Sequence, residues 1–123
     1  MEWTIAQPVK VTEQDIEDIM VTAIEGGINY WCEGIKFKET RPAGEPASTW
    51  AAKQLIKGNT VKIRDEDGWH NLLIDKLIFG LSEHLRICGA LNTCDSQIDT
   101  SSIDADGADA IIQRALFNKL IYS

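Results

Sequence analysis

Apolar residues recur with a helical period in several parts of this chain, and polar residues fill the positions between them. The pattern is clearest after Thr12, where apolar residues stand three and four positions apart until two glycines end it. It predicts a helix from Glu13 to about Glu25, with the Thr12 side chain as its N-terminal cap. The same period predicts helices over about 47–57, from about 75 to 88, and from Asp104 onward.

Residues that alternate between apolar and polar lie between the predicted helices. Residues 60–64 alternate strictly, residues 65–68 favour a turn, and residues 69–73 can return as the antiparallel partner, which together predict a β-hairpin. A shorter alternating stretch over 35–38 predicts another strand. Residues 90–102 are rich in Asn, Asp, Ser and Thr, a composition that predicts a long loop.

The beginning of the chain allows two interpretations. Trp3-Thr4-Ile5 is either an exposed anchor for a partner or a first strand of the domain's own sheet, and we favour the strand. The predicted elements together indicate an α+β fold, in which about four helices pack on a small antiparallel sheet. A chain of 123 residues fits a single domain, 1–123.

Composition limits the class of protein. Hydrophobic residues make up 44% of the chain and charged residues 25%, which is ordinary for a globular domain. No apolar run approaches the length of a membrane span, and the start lacks the pattern of a secretion signal. An odd number of cysteines, 3, favours free thiols in a reducing compartment. We therefore expect an intracellular protein that does not enter membranes.

The charge balance is acidic. Lys and Arg number 12 and Asp and Glu number 19, for a net charge of −7, which disfavours direct binding to nucleic acid. Two runs, 11–35 and 87–113, contain acidic residues and no Lys or Arg. Such surfaces attract basic partners, although they can also serve only to keep a protein soluble. The candidate partner-binding residues are Asp15, Asp18, Glu25, Asp95 and Asp99.

The middle of the chain holds the concentrated basic residues. They are Lys36, Lys38, Arg41, Lys53, Lys57, Lys62 and Arg64. If several of them meet in one pocket, they can bind a phosphate-bearing ligand, and Lys36, Lys38, Arg41 and Arg64 are the alternative candidate site.

Chemistry-bearing residues are sparse. His84 and Cys88 stand four apart on a predicted helix and Cys94 follows, but zinc ligands usually come in closely spaced pairs, and this is the one such spacing in the sequence. His70 could be recruited as a fourth ligand, but Cys88 lies on the apolar face of the predicted helix, where a free cysteine behaves as a small hydrophobic residue. The run from Asp104 to Asp109 lacks the spacing of a calcium loop, and no glycine-rich nucleotide motif occurs. We predict no metal, no cofactor, no catalytic residues and no enzymatic activity.

Three segments carry a resemblance to known sequences. EDIMVTAIEGGINYWC, TVKIRDEDGWHNLLIDKLIFGL and IDADGADAIIQRALFNKLIYS together resemble a family of small, functionally uncharacterised proteins of bacteriophages and prophages. The most distinctive pieces are Glu25-Gly26-Gly27-Ile28, Tyr30-Trp31, and an ending that contains Asp109, Gln113, Phe117 and Tyr122. Members often carry Gly where this chain has Asn118 and Ser123. The resemblance implies a phage accessory protein in the cytoplasm of the infected bacterial host, and it implies no particular activity.

Two functions remain open from the sequence. The first is a non-enzymatic phage protein that binds and inhibits a host protein through an acidic surface, for example as an anti-CRISPR-like inhibitor of host defence. The second is an oligomeric small-ligand binder that sequesters a signalling nucleotide at the basic candidates.

Overall fold

The computed structural model describes residues 2–4, 9–88, 93–94 and 97–123. Within them the α+β fold is confirmed, with four α-helices. The strands are β1 (Glu2–Thr4), β2 (Lys10–Thr12), β3 (Gly34–Phe37), β4 (Val61–Asp65), β5 (Gly68–Leu72), β6 (Thr93–Cys94) and β7 (Gln97–Ile98). The helices are α1 (Glu13–Thr22), α2 (Ala47–Ile56), α3 (Ile74–Cys88) and α4 (Ala105–Phe117), with a 3₁₀ turn at Thr100–Ser102.

The first helix begins as predicted but ends differently. The Thr12 hydroxyl accepts a hydrogen bond from the Asp15 backbone N–H at 3.2 Å, and the Asp15 carboxylate accepts one from the Thr12 N–H at 2.9 Å. After Thr22 the helical backbone continues as a π-helical turn over Ala23–Gly27. The two glycines thus lie inside the helical segment, which extends beyond the predicted end at Glu25.

The predicted hairpin is confirmed, and it belongs to an antiparallel sheet in the order β3-β4-β5. Along β4, Val61, Ile63 and Asp65 are buried and the residues between them are exposed. One face of this sheet therefore packs against α2 and α4 and the other faces water.

Strands near the start of the chain form a second sheet instead of joining the first. The favoured strand at Trp3 is confirmed over the residues described, since β1 pairs with β2 in antiparallel register. Next, β2 pairs in parallel with β7, and β7 pairs with β6. Thr12 is both the last residue of β2 and the N-cap of α1. The first helix therefore follows β2 directly and lies between the two sheets in the chain. The predicted loop 90–102 thus contains β6, β7 and the 3₁₀ turn, while 90–92 and 95–96 lie outside the described residues.

Helix α4 packs against α1, α3, β5 and the π-helical turn. The Asp104 carboxylate caps it by accepting from the Gly107 N–H at 2.8 Å, and Asn118 ends it with a left-handed φ of 63°. Helix α3 packs so closely on α4 that a Cβ at Gly80 would lie 2.3 Å from the Ile111 carbonyl oxygen. No helix in the described part of the chain is long and apolar enough to cross a membrane.

Candidate functional site

A buried carboxylate on α4 organises the most polar region of the interior. Asp109 is only 7% exposed. It accepts hydrogen bonds from the Tyr30 hydroxyl at 2.5 Å, the Trp31 indole N–H at 2.7 Å and the Gln113 amide at 2.9 Å. A buried charge is stable only when it is fully hydrogen-bonded, and these donors provide that.

The π-helical turn brings Tyr30 and Trp31 to α4. A Cβ at Gly27 would lie 2.6 Å from the Ala105 carbonyl oxygen, so glycine is required for this close approach of the two backbones. The chain then turns, with the Trp31 and Cys32 N–H groups both donating to the Ile28 carbonyl. This turn directs both aromatic side chains at Asp109.

Gln113 fixes the segment that follows α4. Its side-chain oxygen accepts from the backbone N–H groups of Ile121 at 2.8 Å and Tyr122 at 2.9 Å. The Tyr122 ring stacks on Trp31 with 5.1 Å between ring centres, and Phe117 meets Trp31 edge to face. The segment after α4 is therefore packed against Trp31, one of the two aromatic residues that donate to Asp109.

A second buried carboxylate binds the far end of Tyr122. Asp65 accepts from the Tyr122 hydroxyl at 2.7 Å and from the Asp67 N–H at 2.9 Å, and it pairs with His70 Nε2 at 2.8 Å. Burial raises the pKa of Asp65, but the hydrogen bonds from Tyr122, His70 and the backbone outweigh it, and the net result is a lowered pKa. The hydrogen bond to Asp65 likewise raises the pKa of Tyr122 above its usual value.

Two open grooves border this network, and we call them the Tyr30 grooves. One has a volume of 300 Å³ and is lined by Tyr30, Trp31, Cys32, Glu33, Glu66, Tyr122 and Ser123. The other has a volume of 610 Å³ and is lined by Tyr30, Asp106, Asp109, Ala110, Gln113, Leu120, Tyr122 and Ser123. No Lys or Arg is among these described lining residues.

Tyr30 lines both grooves and is 55% exposed. Burial of the hydroxyl, followed by its hydrogen bond to Asp109, raises the pKa of Tyr30 to about 12. The phenol therefore stays protonated at neutral pH and acts as a fixed donor to Asp109 instead of a base. Aromatic rings among carboxylates are suited to binding a cation such as a guanidinium or ammonium group.

The acidic residues singled out from the sequence take part in local structure. Asp15 is in the cap of α1, Asp18 accepts from the Thr100 hydroxyl at 2.9 Å, and Glu25 accepts from the Ser48 hydroxyl at 2.6 Å. Asp99 accepts from the Ser101 N–H at 3.2 Å, and Asp95 lies outside the described residues. None of the four described candidates lines a Tyr30 groove.

The basic candidates are only partly brought together. Lys36 and Arg64 point from the water-facing side of the β3-β4-β5 sheet, and Lys38 is exposed directly after the end of β3. Arg41 instead donates to the Glu45 carbonyl at 3.0 Å in the loop before α2.

The two histidines lie in different environments. The Cys88 thiol lies 3.7 Å from His84 Nδ1, whereas His70 pairs with Asp65. The side chain of Cys94 lies outside the described residues. Among the side chains that are described, no group of three or more His, Cys, Asp or Glu residues could hold a metal ion.

Comparison with known proteins finds no matching family profile, no matching curated protein and no matching solved structure. Sequence reasoning did not assign a role to the central residues of this site. The segments singled out in the sequence as distinctive include Tyr30-Trp31, Asp109, Gln113 and Tyr122, and these residues meet around the grooves.

Proposed function

We propose that this protein is a non-enzymatic binding protein that holds a basic segment of a host protein in the Tyr30 grooves. The observation that carries the proposal is the lining of these grooves, which combines carboxylates with exposed aromatic surface and has no Lys or Arg among its described residues. An acidic surface of this kind speeds the encounter with a basic partner and selects against acidic ones.

The proposed contact has two parts. The exposed face of Tyr30 packs against the cationic head of an Arg or Lys side chain, which favours ring contacts within about 6 Å. Asp106 on one side and Glu66 on the other neutralise its charge, and both residues are exposed. Because Asp109 already holds the Tyr30 hydroxyl, the ring is ordered before the partner arrives, which reduces the entropy cost of binding.

The resemblance to phage proteins suggests the setting for this activity. We propose that the partner is a bacterial protein met in the cytoplasm of the infected host. A nucleic-acid-dependent defence protein fits this chemistry, since its nucleic-acid groove carries the basic side chains that the Tyr30 grooves would bind. An anti-CRISPR-like inhibitor is one concrete form.

Charge reversal tests the location of the site. The double variant Asp106→Lys/Glu66→Lys changes both grooves, and the control Glu17→Lys/Asp18→Lys makes the same change in net charge on α1. Binding of the peptide acetyl-(Gly-Arg)₄-amide is measured by calorimetry, with (Gly-Glu)₄ as a negative control. We expect the groove variant to bind at least about tenfold more weakly and the α1 control to change about twofold or less, because nearby charges dominate in salt.

The same two variants are then used as baits in lysate of a bacterial host. A protein retained by the wild type and the α1 control, but lost with the groove variant, supports the proposal. Equal loss with both variants would mean that only total charge matters. Loss with the α1 control alone would locate the site at the acidic helix face instead.

A further inference from the structure

The water-facing side of the β3-β4-β5 sheet concentrates positive charge around an exposed indole. Lys36, Lys62 and Asn71 are neighbours across the three strands, and Gly34, Arg64 and Trp69 form the next row. Apart from Gly34, all of these residues are exposed. We call this set, together with Lys38, the outer sheet face.

The indole of Trp69 lies across the sheet. A Cβ at Gly34, two strands away, would be 3.4 Å from the Cη2 atom of Trp69, so the small glycine leaves room for the ring. The Lys36 ammonium lies 4.6 Å from the ring centre, and Trp69 is 40% exposed. A large aromatic surface is therefore held in place by the sheet while part of it stays open to solvent.

Three lysines also line a depression where β3 ends and β4 begins. Its volume is 320 Å³, and it is lined by Lys36, Phe37, Lys38, Thr60 and Lys62. Ammonium groups with no carboxylate among the described lining residues are suited to binding phosphate.

We propose that the outer sheet face binds single-stranded nucleic acid, with one base stacked on Trp69 and the backbone phosphates beside Lys36, Lys38 and Lys62. Aromatic side chains flanked by Lys and Arg on an open sheet are the usual means of binding unpaired bases. A duplex does not offer a free base face, and a free nucleotide favours a more enclosed pocket than this open surface.

The net charge of −7 led us to expect no direct binding to nucleic acid, but that sum does not describe this face. The Debye length is about 8 Å at physiological ionic strength, so a bound phosphate responds mainly to the charges next to it. The proposal shares no residue with the Tyr30 grooves and stands independently of them.

The test measures the anisotropy of fluorescein-labelled dT₈ and U₈ at 50 and 200 mM salt. We expect binding at low salt that weakens as salt increases. Trp69→Ala should weaken it by roughly 5- to 150-fold, the range for loss of one base stack. Trp69→Phe keeps an aromatic ring and should retain most of the affinity, which separates stacking from a folding defect.

Matched control variants make the same type of substitution outside the outer sheet face. Lys62→Glu should weaken binding and reduce the slope of log affinity against log salt by about 0.7 per lost phosphate contact, whereas Lys10→Glu, on the other sheet, should not. Phe79→Ala removes an exposed aromatic residue from α3 and should leave binding unchanged. Circular dichroism confirms that each variant is folded.

Four results would overturn the proposal. They are no binding at 50 mM salt, equal affinity for a hairpin duplex, unchanged affinity of folded Trp69→Ala, and competition by dTMP as effective as competition by dT₈. The last result would replace the strand with a small nucleotide as the ligand.

Discussion

The Tyr30 grooves and the outer sheet face have opposite charge, and different kinds of contact position their central side chains. They adjoin at the ion pair between Arg64 Nε and the Glu33 carboxylate, 3.8 Å apart, in which both side chains are about half exposed. On the groove side, Tyr30 is fixed by a buried carboxylate. On the sheet side, the Lys36 ammonium lies over the exposed ring of Trp69.

The two regions therefore differ in how strongly a change to the site affects the stability of the fold. Buried hydrogen bonds to Asp109 order the grooves and also stabilise the fold, so a change there affects both. Exposed Lys and Arg side chains add little stability and stay mobile, so the outer sheet face can be altered with little effect on folding. Variants of the Tyr30 grooves should therefore lower the free energy of unfolding more than variants of the outer sheet face.

The largest expected effect comes from Asp109→Ala. It leaves the buried Trp31 N–H without its acceptor and removes one acceptor each from Tyr30 and Gln113. Hydrogen bonds to a charged group contribute about 1.5–3 kcal/mol each, and we expect a loss of at least about 3 kcal/mol in the free energy of unfolding. Urea denaturation measures it. Asp106→Ala, on the exposed side of the same helix, is the control and should cost less than about 1 kcal/mol.

Next in size is the contrast between two adjacent glycines. Gly27→Ala places a Cβ 2.6 Å from the Ala105 carbonyl oxygen, whereas at Gly26 the nearest atom is the Ala105 Cβ at 3.9 Å. Because α4 must move to accept the first, we expect Gly27→Ala to cost about 1–3 kcal/mol, while Gly26→Ala should be close to neutral. Thermal unfolding checks the pair, and equal behaviour would show that the backbones are not tightly packed at Gly27.

The sequence predicted the elements whose signals are local. The Thr12 cap, the alternation along 60–64 and the start of the last helix at Asp104 each depend on a few neighbouring residues, and each is confirmed. The π-helical turn was missed, because two glycines ordinarily end a helix. Here Gly27 is needed for contact with α4, which is far away in the chain.

The candidate site could not be predicted in the same way. Tyr30 and Asp109 are separated by 79 residues, and nothing near either residue indicates their hydrogen bond. The sequence assigned Asp109 no role in a site, and although Lys36 was a candidate ligand residue, Lys62 counted only as part of the basic stretch. Pairing of β3 with β4 puts those two lysines side by side. The net charge of the chain adds the acidic grooves and the basic sheet face together, so it indicates neither of them.

Acid should weaken the attachment of the chain's end. Because the folded pKa of Asp65 is lowered, its contribution is present above the unfolded value near 3.8 and is lost as pH falls through the folded pKa. Tyr122→Phe removes one donor to Asp65 and should cost about 1–2 kcal/mol at pH 7, with the difference from wild type shrinking below about pH 4. Unfolding is followed from pH 7 to pH 2. A difference that stays constant over that range would exclude the Asp65 carboxylate as the partner.

The smallest expected effect belongs to the outer sheet face. Lys36→Met keeps an unbranched side chain of similar length but removes the ammonium over Trp69, a contact that contributes about 0.5–1 kcal/mol at an exposed site. Lys62→Met makes the same charge change one strand away and serves as the control. We expect both variants to unfold within about 1 kcal/mol of wild type, with Lys36→Met also altering the Trp69 fluorescence. If Lys36→Met instead cost as much as Asp109→Ala, the sheet face would be held as tightly as the grooves, and the distinction between an ordered acidic site and an adaptable basic one would be lost.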